Sequence, residues 1–140
     1  MAIFLNNKVG FKIATVNLSD HVTAFTLNRI VDAIEVSAMG DTAHKFVAGL
    51  SADTITVSFL NDTATASVLP TLQDAFGATV AFQAIQDSSA AVSATNKLYS
   101  GTIFVDNLTD INGAVADEAM IDITFTCNSK TTLATTGTWS

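Results

Sequence analysis

Few side chains in this sequence are of a type that does chemistry, and they do not gather into a motif. The two histidines, His21 and His44, lie far apart. Asp20 precedes His21, and an Asp-His pair is one part of a proton relay. No serine in a nucleophile-elbow context accompanies it, so a turn aspartate capping the next strand is the favoured reading. Cys127 is the only cysteine, which rules out an intrachain disulfide. It falls on the apolar phase of its segment, as expected for a buried, inert thiol rather than a nucleophile.

Asp106, Asp110, Asn112, Gly113, Asp117 and Glu118 form an oxygen-rich run that invites a calcium reading. The EF-hand frame fails. With Gly113 as the loop glycine, Leu108 takes the first ligand position and Ala119 the place of the bidentate glutamate. An Asp/Asn/Gly turn between strands is favoured, with a non-EF calcium loop as the alternative. No Cys/His cluster offers a zinc site. None of the seven glycines stand two apart, so there is no dinucleotide fingerprint, and no phosphate-binding loop is present either. No catalytic residue, metal or cofactor is expected.

The elements that would carry these residues are mostly strands. Residues 53–59 alternate: Ile55, Val57 and Phe59 point one way, and Thr54, Thr56 and Ser58 the other. Residues 119–127 repeat the pattern, with Ile121, Ile123, Phe125 and Cys127 inward and Asp122, Thr124 and Thr126 outward. A period of two marks a half-buried strand. Strands are also predicted over 11–18, with a phase change near Thr15, and over 22–29, 79–85 and 99–105.

Residues 67–77 change period. Val68, Leu69, Leu72, Ala75 and Phe76 recur at helical spacing, with Ser67 as N-cap, Pro70 in the first turn and Gly77 as the stop. Residues 30–49 form an excursion too long for a common hairpin loop of roughly 2–5 residues. Its middle, Met39-Gly40-Asp41-Thr42, combines an apolar side chain with a turn signal. Its flanks, residues 34–36 and 44–47, are weakly strand-like. The whole is a single domain, an antiparallel β-sandwich or small barrel with one flanking α-helix. Residues 1–10 form an N-terminal arm and residues 128–140 a Thr-rich C-terminal arm that either docks or stays mobile, and that Trp139 could anchor to a neighbouring copy.

Composition narrows the function. Charged residues make up 14% of the 140, against about 25% in typical soluble domains. Mean hydropathy is +0.41, yet no run approaches the ~18 apolar residues of a membrane span. Thr, Ser, Asn and Ala replace the usual Lys and Glu. Such a surface is expected to be covered largely by other subunits. The net charge is −7, from thirteen acidic and six basic residues. Beyond Gly49, nine acids face only Lys97 and Lys130. This repels nucleic acid and argues against a DNA-binding module, though not against a protein past which DNA slides.

Several segments, in order, resemble the major tail tube proteins of long-tailed bacteriophages. They are Val22-Thr23-Ala24-Phe25-Thr26-Leu27-Asn28-Arg29, the stretch 36–50 that includes Met39-Gly40-Asp41-Thr42, and residues 53–62. The later stretches 99–105, 111–115 and 123–127 continue the likeness, which spans roughly residues 16–130. No invariant motif carries it; the order and spacing of the segments do.

The resemblance implies a β-sandwich with a flanking helix. Six copies form a ring, and rings stack into a hollow tube whose inner strands join around a lumen. The long loop and the terminal arms then contact neighbouring rings. For the loop these contacts fall to Val36, Met39, Gly40, Asp41, Thr42 and His44. The polar strand faces, Thr54, Thr56 and Ser58 with Asp122, Thr124 and Thr126, would line the lumen.

The implied partners are further copies of the chain, a tape measure protein, and tail terminator and baseplate proteins. DNA passes without specific binding, and no membrane is involved. The implied location is the virion tail, assembled in the host cytoplasm. Six copies at −7 give a ring near −42 by roughly additive counting. Two rival readings stand beside this one: another virion assembly subunit, for capsid decoration or head–tail joining, and a calcium-dependent β-sandwich binding module.

Overall fold

The computed structural model describes residues 8–65, 67–111, 113–116 and 118–139. Among them are ten strands and one α-helix. In chain order these are β1 (Gly10–Ile13), β2 (Val16–Asn17), β3 (Val22–Asn28), β4 (Val31–Glu35), β5 (Phe46–Ser51) and β6 (Thr54–Leu60). They continue with α1 (Val68–Ala75), β7 (Thr79–Ile85), β8 (Leu98–Phe104), β9 (Met120–Cys127) and β10 (Thr132–Ala134). All strands but β4 and β5 belong to one sheet, ordered β2-β1-β7-β8-β9-β6-β3, with β10 also on β8. Every pairing in it is antiparallel.

The sheet is long enough to fold over on itself. Only Ile103↔Cys127 and Phe104↔Thr126 join β8 to β9, so the sheet bends there. Its two ends meet: the Phe11 ring on β1 lies 5.0 Å from Phe25 on β3 and 6.1 Å from Phe59 on β6. The inner faces bury Ile55, Val57 and Phe59 of β6 directly opposite Phe125, Ile123 and Ile121 of β9. Helix α1 adds Val68, Leu69, Leu72 and Ala75 to the same core. Each fully buried large side chain contributes about 1.5–3 kcal/mol, which holds the two halves face to face.

The helix begins and ends where the sequence indicates. Gly77 stands at φ +79 just past it, and its N–H reaches the Val105 carbonyl at 2.7 Å. Ser67 precedes the first helical residue in an extended conformation, but its side chain makes no capping bond. One orphan donor is met by the backbone instead: the Leu69 N–H bonds the Asp62 carbonyl at 3.0 Å.

Three expectations are corrected. Residues 11–18 are not one bulged strand. The chain reverses at Ala14-Thr15, with Ala14 at φ +55, and β2 pairs back on β1. Residues 30–49 are largely an ordered hairpin rather than a loop with strand-like flanks, and its returning strand runs on to Ser51. The C-terminal arm docks on its own domain rather than on a neighbour: Thr132↔Ser100 and Ala134↔Leu98 pair β10 to β8. Trp139 lies so close over Gly10 that a Cβ there would meet its ring at 2.6 Å, and Lys12 Nζ stands 5.8 Å from the ring centroid. Trp139 therefore anchors on its own domain. Of the N-terminal arm, residues 1–7 lie outside the described residues, while Gly10 already belongs to β1.

Candidate assembly interface

Antiparallel pairing of β6 with β9 brings the six polar residues of the two strands onto one face. Thr54↔Thr126, Thr56↔Thr124 and Ser58↔Asp122 stand directly opposite each other. Thr56 Oγ1 and Thr124 Oγ1 are 3.4 Å apart. Strand β3 extends this face with Asn28, Thr26 and Ala24 opposite Thr54, Thr56 and Ser58. Sequence reading missed those three, although Ala24, Thr26 and Asn28 alternate with Phe25 and Leu27; the register shift between Val22 and Ala24 breaks that alternation only at the start of the strand. The result is a patch of short hydroxyl and amide side chains with one carboxylate, Asp122. It offers no nucleophile–base pair and no cation.

The β4–β5 hairpin is a sheet of its own. Ile34 pairs with Val47, Ala33 with Ala48 and Glu35 with Phe46. A register shift follows between Val31 and Ala33. Both faces carry apolar side chains and neither is covered: Ile34, Phe46 and Val47 are 51%, 58% and 49% exposed, and Leu50 is 79% exposed. A Cβ at Gly49 would meet Ile34 Cδ1 at 2.9 Å, a contact that the free end of the exposed Ile34 side chain can relieve by moving.

The residues singled out at the tip are together and ordered by local bonds. Val36 N–H donates to the Lys45 carbonyl at 2.8 Å. Gly40 turns the chain at φ +91, with Met39 beside it fully exposed and Thr42 just beyond. Asp41 accepts the Ala38 N–H at 2.7 Å and pairs with Lys45 Nζ at 2.9 Å. The Ala38 N–H first, and then Lys45, hold the Asp41 carboxyl below its usual range. His44 Nδ1 sits 2.9 Å from Glu35 Oε2.

At the hairpin's root lies a residue that the sequence marked only as the start of a strand. Asp53 is 3% exposed. Its Oδ1 accepts the Ile30 N–H and its Oδ2 the Thr131 N–H, both at 3.0 Å. Its carbonyl accepts the Cys127 N–H at 3.0 Å. One side chain thus joins the first residue of the excursion to the segment that leads into β10. Burial alone would raise this carboxyl, but the donors of Thr131 and the Ile30 N–H outweigh it and leave it lowered.

The remaining chemical candidates are dispersed. His21 pairs with Asp62 at 2.8 Å, not with Asp20. Asp62 also takes the Ala64 N–H, the chief reason that its carboxyl is lowered. Cys127 is half-buried, and burial pushes its thiol up to about 11. In the 106–118 connection, Asp106 accepts a hydrogen bond from Asn107 and Asp110 one from Gln73. Asn112 and Asp117 lie outside the described residues. Among the described residues no group of three or more His, Cys, Asp or Glu is placed to hold a metal ion.

No family model and no curated protein matches the sequence. Solved structures do match the fold. A chain in the virion of a native gene transfer agent particle superposes with a TM-score of 0.74 at 10% identity, over 94% of this chain and 99% of that one. A chain in the tail of an empty gene transfer agent particle, of C6 symmetry, gives 0.66 at 12% identity, over 81% and 82%. A chain in the tube-terminating cap of the anti-feeding prophage gives 0.69 at 14% identity, over 96% and 92%. The chain therefore has the tail-tube type of fold, mostly antiparallel β with a single helix.

Proposed function

We propose that this chain is the structural subunit of a phage-type tail tube. Six copies close into a ring, rings stack through the β4–β5 hairpin, and the β3–β6–β9 polar face lines the lumen. The observation that carries this reading is the hairpin. Two strands with apolar side chains bare on both faces are an aggregation liability in a lone domain. In an assembly each face finds a neighbour. The likeness to a chain in a C6 tail supports the six-fold arrangement.

The polar patch suits a conduit. Thr, Ser and Asn side chains hydrate well and carry no cation to hold a phosphate, while Asp122 repels one. On this reading the chain works by shape and has no catalytic residue. A tape measure protein fills the lumen during assembly, terminator and baseplate proteins close the ends, and DNA later passes through. The location is the virion tail, after assembly in the host cytoplasm. The likeness to a tube-terminating cap favours a second reading, a subunit that ends a tube rather than extends it.

Electron microscopy of the purified protein tests both readings. Hollow tubes of repeating rings are expected. Single rings that never stack would favour the cap, and monomers or trimers at all concentrations would refute a ring-forming subunit.

A further inference from the structure

We infer that the groove beside β3 is the seat for the β4–β5 hairpin of a second copy, an inference that rests on assembly through that hairpin. The groove encloses about 820 Å³ between the two ends of the folded sheet. Val22, Phe25 and Leu27 of β3, Ile85 of β7 and Tyr99 of β8 line it, with Arg29 beyond the end of β3. Val22, Phe25, Leu27 and Tyr99 pack on the core yet remain only half-buried. The core is thus open along this flank. The outer edge of β3 is also the end of the sheet, so a row of backbone donors and acceptors faces the same opening.

The hairpin has the complementary properties. Apolar side chains lie on both faces, so one can enter the groove while the other meets solvent or a further neighbour. Among the described residues each of its strands pairs with only one other, which leaves an edge to add to β3. Charge agrees. Arg29 is the one ionisable cation among the groove residues, and β4 brings Asp32 and Glu35. Residues 1–7 hold no acid and are followed by Lys8, so they match Arg29 less well.

Connectivity favours a copy of this chain over another partner. Strand β3 runs through Arg29 directly into the hairpin, so every copy has one seat and one insert, joined end to end. Insert and seat are different surfaces, which makes the contact heterologous and able to propagate from copy to copy.

The test uses two full-length variants. Ile34→Ser with Phe46→Ser removes the insert, and Leu27→Trp, on the groove side of β3, blocks the seat. Circular dichroism checks that both fold. Each alone is expected to stay unassembled. An equimolar mixture should form a discrete one-to-one complex in sedimentation, and nothing longer, because one protein keeps the seat and the other the insert. Arg29→Glu, which does not fill the groove, should raise the concentration needed for assembly about tenfold. It also stands in for Leu27→Trp should that variant misfold.

Assembly of the seat-blocked protein at the wild-type concentration would overturn the inference, as would a mixture that gives no complex. If deletion of residues 1–7 reproduces the seat-blocked behaviour, the groove belongs to the N-terminal segment and the inference fails. Tubes from wild type and seat-blocked protein alike would sink this inference but leave the proposed function standing. Absence of any wild-type assembly would sink both.

Discussion

Asp53→Ala should cost far more than a typical surface substitution. The carboxylate accepts two backbone N–H groups, and the two differ in what they lose. Thr131 is 2% exposed, so its N–H would be left buried and unpaired at a cost of about 1–3 kcal/mol. Ile30 is 43% exposed, so water can replace part of its bond and only about 0.5 kcal/mol is lost there. The sum, about 1.5–3.5 kcal/mol, is large against a usual domain stability of about 5–15 kcal/mol, yet leaves the chain folded. Denaturant melts should show the loss, and hydrogen exchange should show its place: faster exchange at Ile30 and at Thr131 together, with the β6–β9 amides protected.

The pH dependence is a second readout of the same bonds. The folded carboxyl titrates below its unfolded value, near 3.9 in model peptides. The stability it contributes is therefore present above that value and is lost as pH falls through the lower folded one. Asp53→Asn should flatten the acid limb of the stability curve below about pH 4. Asp53→Ala within about 0.5 kcal/mol of wild type, the range of ordinary surface changes, would refute the clip.

Other perturbations probe separate parts of the chain. Asp122→Lys should leave tube assembly intact but slow DNA passage, because a cation on the polar face can hold a phosphate; ejection at the normal rate would count against that face lining the lumen. Replacing residues 36–44 with an Asn-Gly turn should spare the fold by circular dichroism and abolish stacked tubes, and Met39→Ser alone should weaken stacking. Gly10→Ala should push Trp139 off its seat, since the new Cβ would stand 2.6 Å from the ring. The single tryptophan makes this visible as a red-shifted emission. Cys127, its thiol raised to about 11, should react slowly with a thiol reagent at pH 8 and quickly once unfolded.

The sequence was readable where a strand has one wet and one dry face. In β6 and β9 the alternation marks both the core and the polar patch, and the pairing register then puts the six polar residues together. It was least readable where local signals were absent or shared. Ala14 turns the chain at φ +55 without the Gly, Asn or Asp that usually announces such a turn. In β5, Phe46, Val47 and Leu50 put apolar side chains on both faces, so no period of two survives. Trp139 sits over a glycine from the other end of the chain, and the Asp53 clip joins residues 30 and 131, so neither contact leaves a local trace.

The hairpin also explains the composition on physical grounds. A domain that met only water would place charge where Ile34, Phe46, Val47 and Leu50 stand, because each half- or mostly exposed apolar side chain forgoes a corresponding part of the about 1.5–3 kcal/mol that full burial is worth. The core gains nothing from them. Their exposure persists beside a β3 edge that pairs with no second strand among the described residues and a groove that leaves Phe25 and Leu27 half-covered. On the proposed docking, one domain carries two complementary defects, an insert without a seat and a seat without an insert. Each is unfavourable in isolation, and docking between copies removes both at once. A contact of that kind must also offset roughly 4–15 kcal/mol of lost translational and rotational freedom, so the two large apolar side chains of the docked face must be joined by the half-covered Phe25 and Leu27 and by a row of strand hydrogen bonds.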